Sequence, residues 1–285
     1  MKYSRNEFLK LIGLSGAAAL TATGARAGDM NESQPKTESL ATQAELKLGL
    51  ASYTLRKFSL DDLIKMCLRL GLTNVAFKDM HMPLNSSAGE LKNIAQKVRS
   101  AGLNLYGAGV IYMKTPQEVE NTFTYASHAG LQVIIGVPNH ELLPLVNEQV
   151  KKHNIKLAIH NHGPGDLLYT SPDTVYEKIK DLDKRIGFCI DIGHVKRIGM
   201  DPVPMIDKYK DRLYDLHMKD VNKDVADGTP LEIGRGIIDI PAVISMLKKI
   251  NYQGNVAFEY EKDADDPLAG LAESVGFVRG VMRVV

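Results

Sequence analysis

Six histidines and two acidic residues of this chain fall where short apolar segments end. The histidines are His81, His140, His160, His162, His194 and His217, and the acids are Asp191 and Glu259. Imidazole and carboxylate groups together suit Zn²⁺, Mn²⁺, Fe²⁺ or Co²⁺, whereas a site for a hard ion alone would use only oxygen. A single histidine in such a place is usually structural, but six of them favour a functional site.

The candidate metal ligands come from separate segments. Asp191, His217 and Glu259 each end a different one, and His160 on another segment could complete the set. Lys219 follows His217 by two residues, and a buried lysine beside a metal ion can serve as acid, base or oxyanion partner. His162 lies two residues after His160 and therefore points the same way on a strand. His194 follows Asp191 by three residues.

Eight short apolar segments, each followed by a longer helical pattern, would position these side chains. They begin near residues 47, 74, 104, 132, 156, 186, 213 and 255. The intervals approximate the roughly 30 residues of a strand–helix unit. Eight such units favour a closed (β/α)₈ TIM barrel, with the active site at the carboxyl ends of the strands. A doubly wound open sheet is the alternative, although no GxGxxG follows the first strand.

Local signals mark the ends of the intervening helices. Hydroxyl residues suited to N-caps precede four helical patterns, at Ser59, Ser87, Thr115 and Ser171. Glycines stand where three helices should end, at Gly71, Gly102 and Gly130. The only cysteines, Cys67 and Cys189, fall in a helix and a strand pattern, and we expect two buried thiols.

The amino-terminal residues have the pattern of an export signal. Basic residues precede an apolar stretch from Leu11 to Ala22, and Ala25-Arg26-Ala27 provides small residues for cleavage. We therefore expect a signal peptide at residues 1–27, a flexible leader at 28–45, a barrel at 46–285 and a periplasmic location. The segment Ser4–Lys10 resembles a twin-arginine motif with Asn6 in place of the second arginine, so both the twin-arginine and the Sec route stay open. The apolar stretch is too short for a membrane span.

Composition narrows the classes of partner. The chain has 285 residues, is 44% hydrophobic, and carries 35 basic and 34 acidic residues. This is ordinary globular composition without the basic excess of a nucleic-acid or membrane-surface binder. Oligomeric state stays open.

The segments "LAIHNHG", "CIDIGH", "LHMKD" and "VAFEYE" resemble the xylose isomerase-like TIM barrels of the sugar isomerase/epimerase superfamily. That superfamily also includes endonuclease IV and the inosose and dehydroshikimate dehydratases. The resemblance covers roughly residues 47–283. It implies one divalent metal ion (Mn, Zn, Co, Fe or Mg) held by His160, Asp191, His217 and Glu259. It further implies proton transfer by Glu259, Lys219, His162 and His194, and substrate contacts from Lys78, His81, Arg235 and Glu232.

His160 replaces the glutamate that is commoner at its position and makes "HNH" resemble the inosose dehydratase-type branch. Ketose epimerases use two opposed glutamates, of which only Glu259 remains. The expected activity is isomerisation or epimerisation by proton removal next to a carbonyl of a sugar, keto-sugar or cyclitol, with β-elimination as the alternative. A sugar-binding barrel without catalysis also stays open. An abasic-site endonuclease is disfavoured, because its further metal ligands include a histidine after His217, the last one here.

Overall fold

The eight apolar segments form parallel strands that close into a barrel. In the computed structural model, which describes residues 45–285, every strand of the barrel pairs with two neighbours. The barrel strands are β1 Lys47–Ala51, β2 Asn74–Phe77, β3 Asn104–Met113, β4 Val133–Pro138, β5 Lys156–His160, β6 Ile186–Asp191, β7 Leu213–Met218 and β10 Asn255–Phe258. Seven begin at the predicted residue and the fourth begins one residue later. The single TIM barrel is thereby confirmed.

Helices connect successive strands and cover the outside of the barrel. They are α1 Leu60–Leu70, α2 Ala88–Ser100, α3 Pro116–Ala129, α4 Leu143–His153, α5 Pro172–Ile179, α6 Ile192–Arg197, α7 Pro202–Tyr209, α8 Ile240–Lys249 and α9 Leu268–Val284. Each buries an apolar face against the strands, as in Leu63, Ile64 and Cys67 of α1. Among the residues described, no helix is both long enough and apolar enough to cross a membrane.

The predicted helix boundaries follow from local chemistry. The side chains of Ser59, Ser87, Thr115 and Ser171 each accept a hydrogen bond from a backbone N–H of the first turn. Gly71 and Gly130 end α1 and α3 in the left-handed conformation, with φ of 64° and 65°, which a side chain would disfavour. Both cysteines are free and buried, as expected.

The long connection after β7 forms a small structure of its own. The short strands β8 Asp220–Val221 and β9 Pro230–Leu231 pair antiparallel within it. The predicted signal peptide and leader lie outside the described residues, apart from Glu45.

Candidate functional site

The four predicted metal ligands meet at the carboxyl ends of four adjacent strands. His160 ends β5, Asp191 ends β6, His217 is the penultimate residue of β7, and Glu259 directly follows β10. Asp191 and His217 are partners in the strand register, and the N–H of Glu259 bonds to the carbonyl of Met218. The parallel register therefore brings the four side chains to one level of the barrel.

The donor atoms of this four-residue cluster are close together. His217 Nδ1 lies 3.0 Å from Glu259 Oε2 and 3.1 Å from His160 Nε2. Asp191 Oδ2 lies 3.4 Å from His160 Nε2 and 3.9 Å from His217 Nδ1. Ligands held about 2.1 Å from a tetrahedral ion are about 3.4 Å apart, so these spacings suit one divalent ion.

Two further observations fit a metal ion at this cluster. Asp191 Oδ2 is buried, and Lys219 Nζ at 2.9 Å and His160 Nε2 at 3.4 Å lie beside it, so its negative charge faces the cluster. Burial lowers the pKa of His160 to about 4, so its imidazole is neutral at pH 7 and has a lone pair to donate. Two imidazoles and two carboxylates form a donor set typical of borderline transition metals and zinc.

Lys219 supplies a positive charge beside the two carboxylate ligands. Its Nζ lies 2.9 Å from Asp191 Oδ2 and 2.8 Å from Glu259 Oε2. Burial alone would lower the pKa of Lys219, but the neighbouring carboxylates outweigh it and raise that pKa well above its usual value. Burial likewise raises the pKa of Glu259, yet His217 and Lys219 outweigh it and hold that pKa well below normal. Lys219 is therefore an ammonium group at neutral pH.

Two neutral imidazoles, those of His162 and His194, line the cavity beside the cluster. His162 lies next to His160, and its Nε2 is 2.9 Å from the hydroxyl of Tyr112. Burial lowers the pKa of His194 to about 4 and also lowers the pKa of His162. Both rings are therefore uncharged at pH 7, and each has one nitrogen able to accept a proton.

Asn161, which the sequence did not single out, positions Asp191. Its Oδ1 accepts the N–H of Asp191 and its Nδ2 donates to the carbonyl of the same residue. These bonds tie the end of β5 to the end of β6. Asp191 Oδ1 then accepts the N–H of His194 and caps α6, which leaves Oδ2 directed at the cluster.

The cluster opens into a cavity of about 350 Å³, a size typical of small-molecule sites. The lining residues are Tyr53, Lys78, Val110, Tyr112, His160, His162, His194, Lys219, Glu259 and Glu261. A larger cavity of about 650 Å³ lies where β1 and β2 begin, at the opposite end of the barrel from the cluster. The smaller cavity is lined by His160 and Glu259 of the cluster and by Lys219, and it is the candidate active site.

Glu261 is a lining residue that the sequence reasoning missed. Its Oε1 lies 3.3 Å from Lys219 Nζ, and burial raises its pKa. The signal was present in the motif "EYE", since residues 259 and 261 alternate toward the same side of an extended chain. Glu259 and Glu261 consequently stand on one wall of the cavity.

Of the two candidates after β2, only Lys78 lines the cavity, and its ammonium group donates to the carbonyl of Val110. His81 is buried outside the cavity lining. Its ring nitrogens lie 3.0 Å from the hydroxyl of Ser52 and 3.1 Å from the carbonyl of Phe58. Hydrogen bonding to the protein thus accounts for both nitrogens of His81.

The two candidates after β9 are also absent from the cavity lining. Arg235 is exposed and forms an ion pair with Glu273. Glu232 is buried and accepts hydrogen bonds from Tyr260 and Lys262. The glycines on either side of Arg235 donate their N–H groups to Asp220 Oδ2, 2.9 Å away in each case. This loop is therefore folded around a buried carboxylate.

Comparison with known proteins agrees with this architecture. Residues 142–281 match the family of xylose isomerase-like TIM barrels. The rhizopine catabolism protein MocC of Rhizobium meliloti is 26% identical over 157 residues, which cover 46% of this chain and 48% of MocC. An inosose dehydratase of Clostridium tetani is 28% identical over 130 residues, covering 40% and 43% of the two chains. The chain thus spans about half the length of the curated relatives it matches.

The likeness in fold extends over the whole barrel. A solved structure of the IolI protein with a bound zinc atom superposes with a TM-score of 0.70 at 14% identity, covering 84% of this chain and 99% of that one. The resemblance to xylose isomerase-like TIM barrels indicated by the sequence motifs is therefore confirmed, by the family match over residues 142–281 and by the fold over the barrel.

Proposed function

We propose that this chain is a divalent-metal-dependent enzyme that removes a proton next to the carbonyl group of a sugar, keto-sugar or cyclitol and thereby isomerises or epimerises it. The observation that carries the proposal is the four-residue cluster of His160, Asp191, His217 and Glu259, which opens with Lys219 into a cavity of about 350 Å³. The inosose dehydratases and the zinc-containing IolI protein among its relatives support both the substrate class and the metal.

The side chains divide into two chemical roles. A divalent cation in the cluster would polarise the substrate carbonyl and make the adjacent C–H more acidic. The Lys219 ammonium group, placed between Asp191 and Glu259, stabilises negative charge that develops on the substrate oxygen. One of the neutral rings, His162 or His194, accepts the proton from carbon. Return of that proton to the neighbouring carbon, with transfer of the hydroxyl proton to the former carbonyl oxygen, completes isomerisation, and addition of a proton to the other face of the same carbon completes epimerisation.

A second candidate reaction is β-elimination of water or of an alcohol. Glu259 and Glu261 stand on one wall because both belong to the segment that follows β10, and the strand-five position holds His160 in place of a carboxylate. Two opposed carboxylates are thus absent from the described lining of this cavity. An elimination needs a base for the α-proton and an acid for the leaving oxygen, and both can act from one side.

We further propose that the chain is exported to the periplasm, in line with the signal pattern of residues 1–27. An unphosphorylated sugar or glycoside outside the inner membrane would then be the substrate. The cavity lining supports this class, because the cationic groups in it, Lys78 and Lys219, are engaged by Val110 and by the carboxylates of the cluster.

The metal is tested first, on the full chain without a metal-affinity tag. Elemental analysis should find about one equivalent of a divalent metal, retained after dialysis, and its loss in a His217→Ala/Glu259→Ala double variant. A His128→Ala/Glu120→Ala variant on the exposed surface of α3 is the matched control and should keep its metal. Absence of bound metal after incubation with Mn²⁺, Co²⁺ and Zn²⁺ would refute the metalloenzyme.

Activity is then tested with keto-sugars, inososes and 3-keto-glycosides in D₂O. Exchange of the α-proton together with formation of an isomer or epimer of the same molecular formula would support isomerisation or epimerisation. Loss of water or an alcohol, with the ultraviolet absorption of an unsaturated ketone, would instead support elimination. Binding of these compounds to the metal-loaded protein without exchange would indicate a sugar-binding barrel.

A further inference from the structure

A buried polar chain lies beneath the metal cluster, inside the barrel. The hydroxyl of Tyr106 on β3 donates to Asp215 on β7, with distances of 3.1 and 3.3 Å to the two carboxylate oxygens. Asp215 Oδ2 in turn lies 3.8 Å from Nε2 of His217. Asp215 and His217 are two residues apart on β7, so their side chains point to the same interior side of the strand.

Burial of a tyrosine hydroxyl and a carboxylate in a barrel interior reduces the stability of the fold. Tyr106 and Asp215 have 1% and 0% of their surface exposed, at a level where TIM barrels usually pack branched apolar side chains. A buried carboxylate destabilises the fold unless its neighbours compensate for lost hydration. Nε2 of His217 is buried without a well-aligned hydrogen bond among the described residues, and the thiol of Cys189 is the other polar group beside the ring. Asp215 Oδ2 is the carboxylate oxygen near this nitrogen, 3.8 Å away.

The ring orientation of His217 explains the pairing. Its Nδ1 faces Glu259 Oε2 and His160 Nε2 within the cluster. A neutral imidazole that coordinates through Nδ1 must carry its hydrogen on Nε2. Ligating histidines generally donate this second N–H to a carboxylate or carbonyl, which holds the ring orientation and strengthens the ligand. An approach of about 0.9 Å, within reach of a ring tilt, brings the two atoms to hydrogen-bond distance.

We propose that Asp215, oriented by Tyr106, is a positioning residue that holds the hydrogen of His217 on Nε2 and so presents Nδ1 to the metal ion. The inference rests on the proposed metal centre and adds to it a residue that contacts one of the ligands, His217. Asp215 acts through His217 and touches neither substrate nor metal. Tyr106 keeps both carboxylate oxygens of Asp215 in place from the far side of the barrel.

Zinc affinity of the full-length protein, measured by competition with a chromophoric chelator, tests the proposal. Asp215→Leu should weaken zinc binding by about 10- to 100-fold, the usual effect of losing such a partner. Asp215→Asn should retain most of the affinity, because its amide oxygen still accepts a hydrogen bond from Nε2. Tyr106→Phe should weaken binding less than Asp215→Leu does.

Two controls separate positioning from packing. Tyr125→Phe removes a buried hydroxyl that bonds to the carbonyl of Met82, and it should leave zinc affinity unchanged. Cys189→Ala removes the thiol that lies 3.9 Å from Asp215 Oδ2 and should do the same. If Cys189→Ala weakens binding as much as Asp215→Leu, the thiol rather than the carboxylate supports the site and the proposal is wrong.

The Nε2–H of His217 gives a readout that a packing role would not change. In zinc-loaded wild type, ¹⁵N–¹H spectra should show this hydrogen shifted downfield by its hydrogen bond and in slow exchange with solvent, and in Asp215→Leu it should move upfield and exchange faster. Unchanged affinity and an unchanged Nε2–H signal in Asp215→Leu would overturn this inference but not the proposed metal centre. Failure of the wild type to bind zinc, Mn²⁺ or Co²⁺ would overturn both.

Discussion

Nζ of Lys219 lies 2.8 Å from Oε2 of Glu259, and both side chains are almost completely buried. The same ammonium group lies 2.9 Å from Asp191 Oδ2. Lys219 therefore balances two carboxylates that a bound metal ion would also balance. The stability of the barrel and the occupancy of the metal cluster are coupled through this one residue.

Lys219→Met should destabilise the metal-free protein by about 3–5 kcal/mol, because it leaves two buried carboxylates without their ammonium partner. Added Mn²⁺ or Zn²⁺ should restore part of this loss, since the ion supplies the missing positive charge. Urea unfolding with and without metal measures both effects, and Lys219→Arg serves as a charge-retaining control. If Lys219→Met lowered the free energy of unfolding equally with and without metal, the coupling between barrel stability and metal occupancy would be contradicted.

Gly193→Ala should impair catalysis more than stability. A Cβ at Gly193 would lie 2.9 Å from Cβ of Lys219 and 3.3 Å from Asp191 Oδ1, so the lysine must shift. Misplacement of a reacting group by about 1 Å can cost about 100-fold in rate, and we expect a 10- to 100-fold slower α-proton exchange. Unfolding should become easier by only about 1–3 kcal/mol.

Gly276→Ala is the matched control for that substitution. Gly276 lies in α9, and a Cβ there would meet no atom within 4 Å. This variant should retain full exchange activity and gain slightly in stability from the better helix propensity of alanine. Wild-type exchange rates in Gly193→Ala would show that the position of Lys219 is not critical.

Asp220→Ala should lower the free energy of unfolding by about 3 kcal/mol or more, because hydrogen bonds to a buried charge are individually strong. The carboxylate accepts four backbone N–H groups, from Val221, Gly234, Gly236 and Ile238. Asp239→Ala removes an exposed helix cap and should cost only about 1 kcal/mol. If chemical denaturation showed the same decrease in the free energy of unfolding for Asp220→Ala and Asp239→Ala, the loop would not be organised by Asp220.

Glu232→Gln should lose stability in a pH-dependent way. The hydrogen bond from Lys262, with that from Tyr260, lowers the pKa of Glu232 to about 2 in the folded chain, against about 4.3 when unfolded. Its stabilisation is therefore complete above about pH 4.3 and disappears as the pH falls toward 2. We expect the free energy of unfolding of the wild type to exceed that of the variant by about 1.5–3 kcal/mol at pH 6.

The difference between wild type and Glu232→Gln should shrink steadily from pH 4.3 to pH 2 in urea denaturation. Glu273→Gln, which removes the exposed partner of Arg235, should cost less than about 1 kcal/mol. A difference that stays constant over this range would mean that the pKa of Glu232 is not lowered by folding.

Much of the fold could be predicted from local sequence. Apolar runs, hydroxyl N-caps and left-handed glycines act over a few residues, so the eight strands and the start of α1 directly after its N-cap Ser59 follow from neighbours along the chain. The four-residue cluster could also be anticipated. His160 and Asp191 end their strands, and every parallel strand of a barrel ends on the same side.

Tertiary structure decided which polar side chains after the strands turn away from the cavity. His81 follows a strand as His162 does, yet it turns to Ser52 and Phe58, because the loop after β2 presents both partners to it. Tyr106 and Asp215 stand 109 positions apart in the chain. No local pattern links them, since their contact exists only after the barrel closes and brings β3 and β7 to face each other across its interior.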